Sequence, residues 1–308
     1  MPHYTSPFSI TSQFAFCGLP LRLDTYRGCG FQCSYCFARN RGGNRPGETI
    51  RPANPKQIHR VLERALDHGG SGVIAEFLQR RTPIHFGGMS DPFQPAEAQE
   101  QATASVLQSL GRYRYPTVLS TRGTMVADPR YLDLLQNLGH VVVQFSFSTT
   151  RDSTASLVEP HATRPSLLLR TMETLSNHAI AVTCRWQPYI PGISESPMEF
   201  IPRIAATGCR HLAFEHLKLP LEREKGLWQE FVRATRHDFF EEYRLQGARR
   251  DGREIVLNPQ SKLAVVLEAR EQVHRNGMTF GAADNEFQYL SDTPCCCSGV
   301  DQFPGFEN

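Results

Sequence analysis

Apolar and polar positions follow two different periods along the first two-thirds of the chain. Short β-rich runs read PLRLDT at 20–25, TPIHFG at 82–87, TVLST at 117–121, HVVVQFSFS at 140–148, IAVTCRWQP at 180–188 and HLAFEHL at 211–217. Between them, apolar residues recur at helical spacing near 54–68, 96–111, 129–138, 164–178 and 197–207. Strands that alternate with helix-length runs predict a parallel sheet, because each helix returns the chain to the edge it started from. The expected fold is α/β: a partial (β/α)6 barrel of TIM type, helices outside, with working residues at the carboxyl ends of the strands.

After residue 217 the rhythm changes. Trp228, Phe231, Val232, Phe239 and Tyr243 fall at roughly helical spacing, and SKLAVVLEAREQVHRNG predicts a helix stopped by Gly277. A short strand, MTFGA, and a loop holding Cys295, Cys296 and Cys297 complete the chain. The expected organisation is an N-terminal segment at 1–19, a barrel core at 20–220, and a C-terminal helical extension at 221–308 ending in the cysteine-rich loop.

Period two also sorts the strand residues by face. Ser146 and Ser148 share one face and Phe145 and Phe147 the other, which predicts serines inside the barrel and phenylalanines under the helices. Thr183, Arg185 and Gln187 likewise share a face opposite Val182, Cys184 and Trp186. An inward Arg185 is costly unless a ligand or carboxylate meets it. In the sixth run, His211 and His216 have an odd separation, so they point to opposite faces and do not form a metal pair. His216 is kept as a candidate substrate contact.

Composition adds limits. At 40% apolar and 21% charged residues, the chain has the balance of a folded globular protein. Its longest apolar runs are too short to span a bilayer, and MPHYTSPFSI has neither the basic nor the apolar segment of a secretory signal. The expected location is the cytoplasm, with no membrane partner. There, clustered cysteines are metal ligands or reactive groups more often than disulfides. Net charge is only +2, so no global field attracts a polyanion. Locally, RNRGGNRPGETIR carries Arg39, Arg41, Arg45 and Arg51 against Glu48, and ARRDGR near 250 is a smaller basic patch. Either surface could meet phosphates.

The segment YRGCGFQCSYCFAR, 26–39, places Cys29, Cys33 and Cys36 in a C-x3-C-x2-C pattern directly after the first strand of the barrel. Three such thiolates fit an iron–sulfur cluster or zinc. Structural zinc takes four protein ligands, usually as two pairs, and no second pair follows. A [4Fe–4S] cluster on three cysteines keeps one iron open.

This pattern, with Tyr35 before the last cysteine, resembles the signature of the radical S-adenosylmethionine (SAM) superfamily. The resemblance implies that the open iron chelates SAM, whose cleavage gives a 5′-deoxyadenosyl radical that takes hydrogen from a substrate. It also implies an external one-electron reductant of flavodoxin or ferredoxin type. FGGMSDPFQPAE at 86–97, STRGTMVADPRYLDLLQNLG at 120–139, FSFSTT with the later E-P dipeptide, and PYIPGISES resemble the spore photoproduct lyase-like branch. By that likeness Gly87, Gly88 and Met89 receive the SAM amino group, Arg122 its carboxylate, Ser148 its ribose or carboxylate, and Ile190 and Ile193 edge the adenine, while the inward Arg185 is a further candidate to help hold SAM. The branch also implies a nucleic-acid or nucleotide-derived substrate.

One departure bears on the reaction. The branch pattern implies a hydrogen-donor cysteine just before MSD, and this chain has Gly88 there. Tyr35, Cys296 and Cys297 are the remaining candidates for catalytic roles. For the terminal cysteines three readings stay open: an auxiliary iron–sulfur cluster with Cys17 or another cysteine, a donor of hydrogen or electrons or partner in a transient disulfide, or burial. Two other functions stay open as well, a radical enzyme acting on a small molecule or peptide and a non-catalytic iron–sulfur redox sensor.

Overall fold

The structure, a computed structural model, describes residues 3–11, 17–40, 49–222, 228–297 and 303. Its main sheet has eight strands: β1 (Phe8–Ile10), β2 (Leu21–Leu23), β3 (Ile84–Phe86), β4 (Thr117–Thr121), β5 (Val141–Phe147), β6 (Ala181–Tyr189), β7 (His211–His216) and β8 (Thr279–Ala282). They lie in sequence order. β1 is antiparallel to β2, and every later pair is parallel. The six predicted strands are thus β2 to β7 of a partial TIM-type barrel. The MTFGA run adds β8 at the far edge, so residues beyond 220 contribute to the sheet itself.

Helices α1 (Pro55–Leu66), α2 (Ala102–Arg112), α3 (Pro129–Leu138), α4 (Pro165–Asn177) and α5 (Pro197–Ala205) cover the outer face, as does α8 (Pro259–Arg275), which follows α6 (Trp228–Thr235) and α7 (Phe239–Leu245) in the chain. Five of these, α1, α3, α4, α5 and α8, start on proline. That residue costs nothing at the first helical position, where its missing N–H would have no partner. Asn54 and Asn258 cap α1 and α8 by accepting backbone N–H bonds. None of the described helices is long and apolar enough to cross a membrane.

Strand alternation decides the core. Phe145, Phe147, Trp186 and Phe214 turn outward under the helices, where Trp186 stacks on Phe200 of α5 with ring centres 3.8 Å apart. Two smaller apolar clusters close the barrel ends. One joins Trp228, Phe231, Phe239 and Tyr243 of α6 and α7 to Tyr35, Ile190 and Leu217 at the carboxyl ends of the strands. The other joins Leu19, Val118, Val142, Cys295, Cys297 and Phe303. Val118 and Val142 begin their strands, so the terminal cysteine run forms the floor of the barrel.

Candidate active site

Between floor and rim lies a cavity of about 280 Å3. The cysteine loop supplies one wall with Cys29, Cys33, Cys36 and the Tyr35 ring, and the turn after β3 continues it with Gly87, Gly88 and Met89. Arg22, His85, Ser146, Arg185, Cys296 and Cys297 line its inner end, and Gln187, Glu215, His216 and Lys218 the side built by β6 and β7.

The FGGMSDPFQPAE segment holds the cysteine loop in place. Gln94 accepts from Gly30 N at 2.7 Å and donates to Gly28 O at 3.0 Å, clamping the backbone on either side of Cys29. Ser90 Oγ donates to Tyr26 O at 2.6 Å. Asp24 accepts from Met89 N and Ser90 N, at 2.8 and 3.0 Å. Asp91 accepts from Phe93 N, Arg122 N and the Thr121 hydroxyl, tying the turn to the end of β4. Glu97 receives Tyr26, Tyr131 and the backbone of Thr103 and Ala104, where its charge also suits the start of α2. Gly87, at φ +89°, is obligatory: a Cβ there would stand 2.6 Å from Ser120 O.

Burial leaves its mark on these acids. It pushes both Asp24 and Asp91 up to about 6, against the hydrogen bonds they accept. It also pushes the Cys29 thiol up to about 12 and Cys33 well above the usual range. No group of three or more His, Cys, Asp or Glu side chains among the described residues stands at metal-holding separations. The donor set nonetheless fits an iron–sulfur cluster with one open iron: three free thiols from one short loop share a cavity wall, and the same loop provides no fourth.

Arg122 is engaged within the protein. Its guanidinium pairs with Glu159 and donates to the Tyr35 hydroxyl at 2.8 Å, while Tyr35 and Ser148 both donate to Glu159. Burial works against the arginine charge most strongly, and Glu159 together with Tyr35, Cys33 and Asp91 outweighs it, so the pKa is raised. The E-P dipeptide therefore provides the counter-charge. Ser148 sits behind the wall in this network, and Ser146 is the serine on the cavity. Ile190 is buried in the apolar cluster under α6 and α7, with Ile193 half-buried beside it, and neither lines the cavity. Arg185 does line it. Its one protein bond is Nε to Gln187 at 2.7 Å, and it has no ion pair among the described residues.

On the floor, His211 Nε2 and Gln144 Nε2 bond the carbonyls of Cys296 and Cys297, at 2.9 and 3.3 Å. Hydrogen bonds from the Cys295 and Cys296 thiols, then the Arg185 charge, hold Cys297 well below the usual thiol range against its burial. Cys296 moves the other way and stays protonated. Its sulfur lies 3.7 Å from that of Cys297. His85, buried near Arg185 and bonded to Ser120 at 2.8 Å, is pushed down to about 3 and is neutral.

Arg22 and His85 were not anticipated, although period two marks both: each sits between two core residues, Leu21 and Leu23 or Ile84 and Phe86. Asp24, Asp91 and Gln94 act through bonds to distant segments, for which the sequence offers no local sign. Of the basic loop, Arg41 and Arg45 lie outside the described residues, as does the Arg39 side chain.

The family model of the radical SAM superfamily matches residues 23–201. The chain belongs to the radical SAM superfamily. It is thereby an enzyme of that type, and membership implies a [4Fe–4S] cluster and SAM. No curated protein matches the chain. Among solved structures, a cysteine-to-serine variant of spore photoproduct lyase has a TM-score of 0.67 at 16% identity, covering 88% of this chain and 77% of its own. A tyrosine-to-phenylalanine variant scores 0.66 at 16% identity with the same coverage. A double variant with bound AdoMet and dinucleoside spore photoproduct scores 0.66 at 13% identity, again covering 88% and 77%. At these identities the likeness is one of fold.

Proposed function

We propose that the protein is a radical SAM enzyme acting on a nucleotide-derived substrate, with Cys29, Cys33 and Cys36 as ligands of the cluster. The observation that carries the reading is the convergence on one cavity of the three thiols, the Gly87–Met89 turn and Arg185, which has no ion pair among the described residues. When bound, the cluster and SAM supply a 5′-deoxyadenosyl radical that abstracts a substrate hydrogen.

The residues around them divide the remaining work. The N–H groups of Gly87 and Met89 are taken by Leu23 O and Asp24, while the carbonyls of Gly87 and Gly88 have no protein partner among the described residues. Those acceptors suit the amino group of SAM. Arg185 suits a carboxylate, since a guanidinium grips one bidentately, whereas Arg122 keeps Tyr35 and Glu159 in place behind the cluster loop. Tyr35 is a positioning residue by the same bonds. Cys296 is the thiol available to return a hydrogen atom: its S–H breaks, the substrate C–H forms, and the sulfur radical is left 3.7 Å from the sulfur of Cys297. This role falls to the floor because Gly88 occupies the loop position. The convergence of Cys17 with Cys295–Cys297 serves this thiol chemistry, and an auxiliary cluster is not required for it.

The nucleotide reading draws on the fold shared with a lyase structure that holds a dinucleoside photoproduct. The near-neutral net charge of +2 favours a small molecule as the second reading. The test adds dinucleoside spore photoproduct, irradiated DNA or undamaged oligonucleotide to the reconstituted enzyme with SAM and reductant. Faster 5′-deoxyadenosine formation with any nucleotide probe, and hydrogen label passing into it, is the expected result. No acceleration by any of them would move the assignment to the small-molecule reading.

A further inference from the structure

His216 closes β7, at the opposite end of the sheet order from the cysteine loop, and belongs to the cavity wall while only 3% exposed. Its Nδ1 lies 2.7 Å from Asp284 Oδ2, and its backbone N donates to the same oxygen at 3.2 Å. The other carboxylate oxygen is 2.8 Å from Lys262 Nζ of α8, which is also 2.8 Å from Glu286. Phe214 and Tyr189 pack edge-on against the imidazole, each with ring centres 5.2 Å away, and fix its plane.

This arrangement determines which nitrogen meets the cavity. Lys262 Nζ, 2.8 Å from one oxygen, and the backbone N–H of His216, 3.2 Å from the other, keep the Asp284 carboxyl ionised against the cost of burial. An ionised Asp284 can only accept, so Nδ1 carries a proton. Nε2, on the other side of the ring, has no partner among the described residues and is not one of their sealed, unsatisfied atoms. The cavity is what it faces. A buried Lys–Asp pair is also a poor device for stability alone, since desolvation consumes most of what the attraction returns. Of the other groups near the imidazole, Lys218 holds Glu215 at 2.6 Å, Tyr243 donates to Leu217 O, and Glu254 lines the same cavity.

We propose that His216 is a catalytic proton acceptor for the substrate, with Asp284 and Lys262 as the residues that position it. Nε2 accepts a hydrogen bond from an N–H or O–H group of the substrate. Loss of hydrogen from the neighbouring carbon makes that group more acidic. The X–H bond then breaks towards Nε2, its electron pair stays on the substrate, and the resulting imidazolium is balanced by Asp284. No electron enters or leaves in this step. The substrate class is a molecule presenting such a donor beside the carbon attacked. The proposal rests on the reading that this cavity holds the substrate.

Two measurements test it. Carbethoxylation of the holoenzyme by diethyl pyrocarbonate, read by peptide mass spectrometry, should modify His216 despite its burial, and Asp284→Asn should slow that reaction several-fold by freeing the tautomer. His216→Asn keeps an amide for Asp284 but places nothing at Nε2. It should lower turnover of dinucleoside spore photoproduct roughly a hundredfold in kcat, with KM, melting temperature and cluster absorbance close to native. A purely structural histidine would leave kcat at the native value in that variant, and this outcome overturns the proposal. So does a His216 that resists the reagent while exposed His161 and His178 react. Should the native enzyme leave the dinucleoside, irradiated DNA and undamaged oligonucleotide all untouched, the nucleotide reading fails by itself. The reagent then decides for His216: modification slowed by Asp284→Asn upholds the role, and resistance ends it.

Discussion

Glu159 is the residue on which the ordering of the cysteine loop depends. It receives Arg122, Tyr35 and Ser148 in a site closed to solvent. Replacing it by glutamine leaves a buried guanidinium without its counter-charge, at a cost of about 3–5 kcal/mol. Denaturant melts of the cluster-free protein should show that loss. Asp24 makes a pH prediction. Its folded pKa is about 6 against an ordinary 3.8, so the folded state binds its proton more tightly than the unfolded chain. The resulting stability is full below the ordinary value and disappears as pH rises through about 6. Asp24→Asn should remove on the order of 2–3 kcal/mol of that dependence, measured as the difference in unfolding free energy between acidic and neutral buffer. Residue identities were legible in part. Spacing alone singled out Cys29, Cys33 and Cys36, and alternation put Arg185 inside the barrel. Arg122 looked like a free cation because its partner lies 37 positions away, and no local pattern reports such a bond. Ser148 follows the last residue of β5, and there the period that brings Ser146 to the cavity no longer decides where a side chain goes.

At the scale of elements, the strands and outer helices were read closely because their periods are long and their starts are marked by proline. The helix over Asp152–Val158 escaped notice: seven residues with buried positions only at Ala155 and Val158 give too few points for a period. The C-terminal run was legible as a strand and a cysteine loop, but not as the seventh parallel strand and the barrel floor. Both depend on tertiary return of the chain. Gly281 records that return, since a Cβ there would meet Cys296 O at 2.2 Å. Gly281→Ala should displace the floor, and the buried thiols of Cys295 and Cys297 should then be alkylated many times faster by iodoacetamide. An unchanged rate would mean that the loop does not depend on this contact. Gln94 makes a parallel case at the other end. Gln94→Ala removes two bonds to the cysteine-loop backbone, worth about 1–3 kcal/mol if the freed groups stay dry. Iron content after reconstitution should fall accordingly.

For the whole molecule, the barrel is a holder with three working surfaces. The loop after β2 gathers the thiols, the end of β7 presents His216 across the sheet, and the returning C-terminus puts Cys296 and Cys297 beneath. α6 and α7 press on the back of the first surface through the contact of Tyr35 with Phe231, 6.2 Å between ring centres. The central claim is that Cys29, Cys33 and Cys36 hold a cluster able to cleave SAM. It is tested most directly by anaerobic reconstitution with iron and sulfide, addition of SAM and a strong reductant, and chromatographic measurement of 5′-deoxyadenosine beside a Cys33→Ala control. The account predicts product from the native chain and none from the control. A brown, cluster-bearing native protein that never forms 5′-deoxyadenosine, or a colourless one that retains zinc, would contradict it.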